Sequence, residues 1–347
     1  MAGDWLLVET LGTEPAVVAL GRQLRNLVPI TVFLRRNPRL AAIQSAIAES
    51  LQTSKSLVSI TPKNDRVIRT EPVLMSDGRI HGVHIWSGPA GAEPPERPIP
   101  GALKWNMTLG VATDTPESLA NTGRNLEIED PEGRAFAQSW PSGDLKPNEG
   151  RALAAAVRAE PGHTLCDTWD STDWQGNHIR VGFVARNGLE PGPDGRDHVI
   201  ARGMNWRAEP ADRARSADRL AQQILHGLAQ PGVHRALFDP YNWTMLKWLD
   251  EPCPFYDWRG TAANAPRMHP RDEATMAAMT AEFARGATSG VLRMPGYDGG
   301  WVPVHVTVSR VELEHETYAG LVAVRLPTHA ELTEAGLSEP ERPQETH

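Results

Sequence analysis

The chain has 347 residues, 40% hydrophobic and 22% charged, which is enough apolar material for packed cores and excludes global disorder. Its 35 Lys and Arg against 43 Asp and Glu give a formal charge of −8, which excludes bulk attraction to nucleic acid or anionic lipid. No run reaches the ~20 apolar residues that span a bilayer. The opening Met1-Ala2-Gly3-Asp4-Trp5 lacks the basic and hydrophobic regions of a secretory signal, so a soluble cytoplasmic protein is expected.

Asp4-Trp5-Leu6-Leu7 opens the first unit. Further on, Leu40, Ile43, Ile47 and Leu51 fall on one helical face, with Asn37 expected as N-cap and Pro38 at the first helical position. Strand-like runs follow over residues 56–60, 66–74 and 79–86, and Ser76-Asp77-Gly78 supplies a tight turn. Residues 89–100 hold five prolines and read as a linker.

The second unit contains Lys104-Trp105-Asn106-Met107, then Pro147-Asn148 before a helical pattern, then strand-like runs over 163–169, 178–186 and 198–206. Ile179, Val181, Phe183 and Ala185 share one strand face opposite His178, Arg180 and Arg186. Glu209-Pro210 closes the unit. Residues 211–229 are expected to form a linker helix that buries Ala217, Leu220, Ala221, Ile224 and Leu228.

The third unit contains Asn242-Trp243-Thr244-Met245. His269-Pro270-Arg271 introduces a helix with Met276, Met279 and Phe283 on one stripe and a stop at Gly286. Strands are predicted over 290–294, 301–310 and 318–326, the long one with Val302, Val304, Val306 and Val308 inward and Trp301, Pro303, His305, Thr307 and Ser309 outward. That outer face calls for a cover, either the 211–229 helix or another subunit. Residues 331–347 are polar and read as a disordered tail.

The same order of elements recurs three times, each with a tryptophan motif, a helix and three strands joined by short turns. Three α+β domains are therefore expected over 1–100, 101–209 and 210–330, each an antiparallel sheet with flanking helices and its own core, beginning near Trp5, Trp105 and Trp243. This order resembles the PAS architecture, and the middle unit fits a GAF domain or a PAS domain. His269-Pro270-Arg271-Asp272, the 276–283 helix and the strands at 290–294, 302–308 and 319–326 look like the second half of a PAS domain. From Asp4-Trp5-Leu6-Leu7-Val8-Glu9-Thr10-Leu11 onward, the chain resembles actinobacterial, mycobacterial-type tandem PAS–GAF–PAS proteins. The resemblance implies a cytoplasmic sensory or interaction protein and carries over no catalytic residues.

The residues show no independent chemistry. His81 and His84 are three apart on a strand, so they are expected on opposite faces, with no metal between them. Cys166 and Cys253 are too few for a disulfide framework and sit in apolar or aromatic surroundings, which favours buried, inert thiols. Asp167, Asp170 and Asp173 recur by threes, unlike a calcium loop, and read as a polar turn. Gly296-Tyr297-Asp298-Gly299-Gly300 separates two strands and reads as a hairpin, not a phosphate cradle.

The remaining hint is aromatic. Tyr241, Trp243, Trp248, Phe255, Tyr256 and Trp258 crowd one stretch, as core filling or as the wall of a cavity. The expectation is a non-enzymatic signalling adaptor without a cofactor or metal. Its ligand-site candidates are Trp248, Met276, Met279, Phe283, Val304 and Val306, suited to a hydrophobic small molecule. A protein partner is expected, nucleic acid is not, and a homodimer is compatible. The alternatives are a scaffold with filled cores and an enzyme assembled from distant residues.

Overall fold

Alternating apolar and polar residues pair as antiparallel strands in three separate sheets. The computed structural model describes residues 3–60, 65–140, 149–210, 223, 227–260, 267–314 and 316–337. In the first sheet, β1 (Leu6–Glu9), β2 (Ala16–Leu20), β3 (Gln23–Pro29), β4 (Leu57–Ile60), β5 (Arg66–Leu74) and β6 (Ile80–Pro89) lie in the order β3-β2-β1-β6-β5-β4. In the second, β7 (Gly101–Asn106), β8 (Val111–Asp114), β10 (Thr164–Thr172), β11 (His178–Pro191) and β12 (Asp197–Arg207) run β10-β11-β12-β7-β8. The third comprises β13 (His234–Asp239), β14 (Thr244–Trp248), β15 (Ala287–Pro295), β16 (Trp301–Glu314) and β17 (Thr317–Arg325), ordered β14-β13-β17-β16-β15. With β3 and the two-residue β9 (Arg134–Ala135), which follows β8 at the edge of the second sheet, set aside, all three follow one order: second strand, first, fifth, fourth, third.

The chain forms two compact units. One comprises Met1–Met107, Ala112–Gly133 and Ala159–Arg215 and holds the first two sheets. The other comprises Thr108–Val111, Arg134–Arg158 and Ser216–His347; it holds the third sheet, the short β9 (Arg134–Ala135) and helix α4 (Glu149–Arg158).

Within the first unit, α1 (Ile30–Phe33) and α2 (Leu40–Thr53) cover one face of the first sheet. Ile30, Ile43 and Ile47 pack there on Leu6, Val8, Val83 and Ile85. The opposite face meets the second sheet, where Leu7, Val18, Val73 and Met75 form one core with Ala102, Val184, Met204 and Trp206. These two sheets share a core, which corrects the expectation of a separate core for each. For the same reason β11 is buried on both faces: Val181 and Phe183 on one, Val184 on the other. Gly82 permits the close approach, since a Cβ there would sit 2.5 Å from Met204 Cε.

Several local expectations are corrected. Helix α2 starts at Leu40, and Asn37 Oδ1 instead accepts from the Arg39 N–H in a turn ahead of it. The tryptophan motifs are not structurally equivalent: Trp5 precedes β1, Trp105 lies within β7, and Trp243 sits between β13 and β14 at φ 57°. The third sheet opens earlier, at His234. The stretch expected as a disordered tail from residue 331 instead begins within a helix, α6 (His329–Glu334). Thr328 and Glu331 form its capping box, and Glu331 also pairs with Arg325. Residues 338–347 lie outside the described residues, as does most of the 211–229 helix, whose last predicted core position, Leu228, is exposed.

The histidine pair also differs from expectation. Val73 pairs with Gly82 and Leu74 with Ile80, so β6 carries one extra residue, a bulge at His81. The bulge turns His81 toward the second sheet, where Nδ1–H donates to the Gly203 carbonyl at 2.8 Å and Nε2 accepts from Arg202 at 3.2 Å. His84 is paired across the strands with Leu7 and therefore shares that same face. Its ring lies 5.1 Å from that of Trp5, and neither ring nitrogen has a hydrogen-bond partner among the described residues. Around them Arg202 joins Asp77 at 2.7 Å and Glu190 at 2.6 Å, and Arg186 pairs with buried Glu9 at 3.0 Å.

Burial, and then Arg202, lowers the pKa of His81 to about 4; burial, and then Arg97, lowers that of His84 to about 3. Both depressions favour the neutral ring, so the unfolded chain binds more protons than the folded one below its histidine pKa of 6.5. Stability should fall as pH drops from 6.5 toward 4, by roughly 1.4 kcal/mol per pH unit for each histidine. Asp77 acts in a lower window, since its carboxyl stays ionised down to about 2. Urea unfolding followed by tryptophan fluorescence between pH 7 and 4.5 should show this slope, and His84→Phe should remove about half of it. An unchanged slope in the variant would contradict the assignment.

Candidate functional site

The third sheet brings together all six residues singled out from the sequence. Trp248 on β14, Met279, Val304 and Val306 are buried in one apolar cluster with Phe238, Leu292, Val308, Val322 and Val324, and Met276 and Phe283 pack on its edge. Strand alternation supplies the valines, so β16 presents Val304, Val306 and Val308 to one side and Thr307 to the other.

Helix α5 (Glu273–Phe283) closes this side and packs mainly along β15. Met279 is its one fully buried side chain, lying over Gly290, where a Cβ would be 3.0 Å from the Met279 sulfur. At its start, His269 Nδ1 accepts from the Arg271 N–H, and Asp272 receives the Arg293 backbone N–H at 2.7 Å and its guanidinium Nε–H at 3.1 Å. Burial opposes ionisation of Asp272, but the Arg293 bonds outweigh it and hold the carboxyl below its ordinary range. The helix is thus pinned at its N-terminus by a charged clasp and lies on the sheet through the buried Met279, with Met276 and Phe283 packed at its edge.

Aromatic rings form the rest of the wall. Trp258 stands edge-on to Trp248 at 5.6 Å, and Phe238 lies 5.0 Å from Trp243 and 6.2 Å from Phe283. Trp248 is 1% exposed, and its Nε1–H has no acceptor among the described residues. Burial pushes the Cys253 thiol up to about 11 and raises the Tyr256 phenol, so both stay neutral at ordinary pH. Tyr241, from the same aromatic run, is exposed and stands apart. Such a site can hold an apolar group by dispersion and give one hydrogen bond. It offers no ionised nucleophile.

The other face of the sheet was not anticipated. Lys247 and Glu149 are both buried and meet at 3.0 Å, from β14 and the first turn of α4. Ala152, Leu153, Ala154, Ala156 and Val157 are buried along that helix beside Glu149, and Arg158 at its end reaches Thr317 and, at 3.6 Å, Glu314. A lysine inside a strand normally reads as a solvated position, so only a view of the opposing helix could reveal this pair. The outward residues of β16 are partly covered as well: Trp301 stacks edge-on to His269, and His305 lies 3.3 Å from Glu331.

The remaining sequence motifs are local structure. Asp173 accepts from the Gln175 and Asn177 N–H groups in a hairpin turn, and Asp170 faces Arg180. Gly296 donates to the Gly300 carbonyl to close the β15–β16 hairpin. Burial pushes the Cys166 thiol up to about 12. Among the described residues no group of three or more His, Cys, Asp or Glu is placed to hold a metal. None of the described helices is long and apolar enough to cross a membrane.

These features define a tandem α+β protein with three antiparallel sheets of one strand order, whose best-developed interior site is apolar. The chain belongs to the Rv3651-like family, matching its N-terminal domain over residues 4–96, its middle domain over 99–208 and its C-terminal domain over 218–335. It is similar, at 64% identity and TM-score 0.89, to the crystal structure of a putative uncharacterized protein from Mycobacterium tuberculosis, covering 96% of this chain and 99% of that one. An RNA-binding light-oxygen-voltage receptor superposes with 10% identity, 96% coverage of each chain and a TM-score of 0.24, too low to bear on this protein. No curated protein sequence matches.

The buried ion pair gives a direct test. Lys247→Met removes the buried ammonium group 3.0 Å from the Glu149 carboxylate, which should cost roughly 3–5 kcal/mol. Exchanging an exposed pair member, Glu93→Gln opposite Arg69, should cost at most about 1 kcal/mol. Equal effects in urea titrations would show that the Lys247 site is hydrated.

Proposed function

We propose that the chain is a non-enzymatic sensory adaptor built from PAS- and GAF-type domains, with its ligand site between α5 and the valine face of β16. The strand order shared by all three sheets supports the domain type. One observation carries the site: a helix that buries only Met279 closes an apolar interior in which the Trp248 N–H has no acceptor. A ligand that separates α5 from the sheet would gain apolar contact and satisfy that N–H, which gives it a differential affinity for the opened state. The chemistry fits a lipid-like molecule carrying one acceptor, such as a fatty acid or a ketone.

The competing reading is a scaffold whose side chains fill this core completely, and the burial of Val304, Val308 and Leu292 favours it. Met279→Ala separates the two. If the site senses, long-chain fatty acids titrated against the full chain should quench Trp248 and Trp258 fluorescence, and the wider site should shift the preferred chain length. If the core is filled, no fatty acid or methyl ketone binds the wild type, and the substitution only lowers stability by roughly 2–5 kcal/mol.

A further inference from the structure

Apart from the ligand reading, and independent of it, one end of the second sheet carries an unusual surface. Ile128 is 80% exposed, Trp174 61% and Leu126 49%. Leu126 and Ile128 belong to the loop that follows α3 (Pro116–Asn121), where Ile128 N–H and Glu129 N–H both donate to the Asn125 carbonyl. Trp174 lies at the tip of the β10–β11 hairpin and is brought to that loop by its N–H, which donates to the Gly123 carbonyl at 2.9 Å. Gly123 makes the approach possible: its φ is +80°, and a Cβ there would meet the Asp173 backbone at 2.7 Å.

Within the loop that carries Leu126 and Ile128 the charge has one sign. The loop reads Asn125-Leu126-Glu127-Ile128-Glu129-Asp130-Pro131-Glu132, four carboxylates and no cation. Nearby cations are engaged: Arg124 with Glu129 at 3.6 Å, Arg180 with Asp170 at 4.0 Å, and Arg207 on the Ala120 carbonyl at 2.8 Å. Glu127, Asp130 and Glu132 point to solvent without an ion-pair partner among the described residues. Exposed apolar anchors rimmed by unbalanced like charge are the features of a recognition surface, where the anchors give affinity and the rim selects the charge of the partner.

We infer that Leu126, Ile128 and Trp174 form a docking surface for a basic segment of a partner protein, with apolar side chains as its anchors. The anchors pack on Trp174 and Ile128, while Lys or Arg groups face Glu127, Asp130 and Glu132. The adaptor thereby has a contact surface built in the middle domain, apart from the α5 site in the third sheet.

A defined probe tests this without knowing the partner: a fluorescein-labelled helical peptide of about 16 residues made of Lys and Leu, titrated against the full chain by anisotropy. Binding should weaken steeply as salt rises. Ile128→Ser and Trp174→Ser should each weaken it about tenfold or more, and the pair Glu127→Lys/Glu132→Lys should weaken it and flatten its salt dependence. All four positions are exposed, and unchanged melting curves confirm that the fold is kept. Absence of binding, binding that all variants retain, or equal binding of an uncharged Gln/Leu peptide overturns the assignment.

Discussion

An antiparallel sheet with apolar residues on both faces must be covered twice, and this requirement organises the whole chain. In the first unit two sheets cover each other, and Gly82, Leu7 and Met204 mark where they meet. In the second unit the third sheet is covered by two unlike helices. One is α4, joined by the buried Glu149–Lys247 pair and a partly exposed Arg158–Thr317 bond; the other is α5, which packs through Met276, Met279 and Phe283. The two covers differ in where their charge is held: the Lys247–Glu149 pair lies inside the α4 contact, whereas the Asp272–Arg293 pair holds only the start of α5, whose later turns pack through Met276, Met279 and Phe283.

Most strands were legible because alternation is a backbone property. The runs predicted at 66–74, 301–310 and 318–326 correspond to β5, β16 and β17 within a few residues. The turns at Gly78, Gly195 and Gly299 all adopt positive φ, as their sequences require. The candidate site residues do converge, because the Met276–Met279–Phe283 stripe and the valine row each belong to one element whose periodicity is visible locally. Whether they admit a ligand is a property of the space between elements, and no spacing in the chain encodes it.

What the sequence hid depends on partners far along the chain. His81 looked misaligned with His84 because a bulge cannot be read without the register of β5. Lys247 and Glu149 are separated by almost a hundred residues, and each alone looks like an ordinary surface charge. The tryptophan motifs misled for the opposite reason, since a short local likeness suggested an equivalence that the strand positions do not share.

The functional account joins a yielding cover on one face of the third sheet to a rigid one on the other. Lys247 and Trp248 are neighbours on β14 and point to opposite sides, so one strand borders both covers.

The central claim is that α5 opens on its own while the sheet stays intact. Native-state hydrogen exchange of the full chain measures this directly, since locally opening segments exchange at free energies below that of global unfolding. Backbone amides of residues 277–283 should exchange at least about a hundredfold faster than those of the β16–β17 ladder, and Met279→Ala should widen the gap. If the α5 amides are protected to the same level as Val306 and Val322, the helix is an integral part of the core and the account of a yielding cover is wrong.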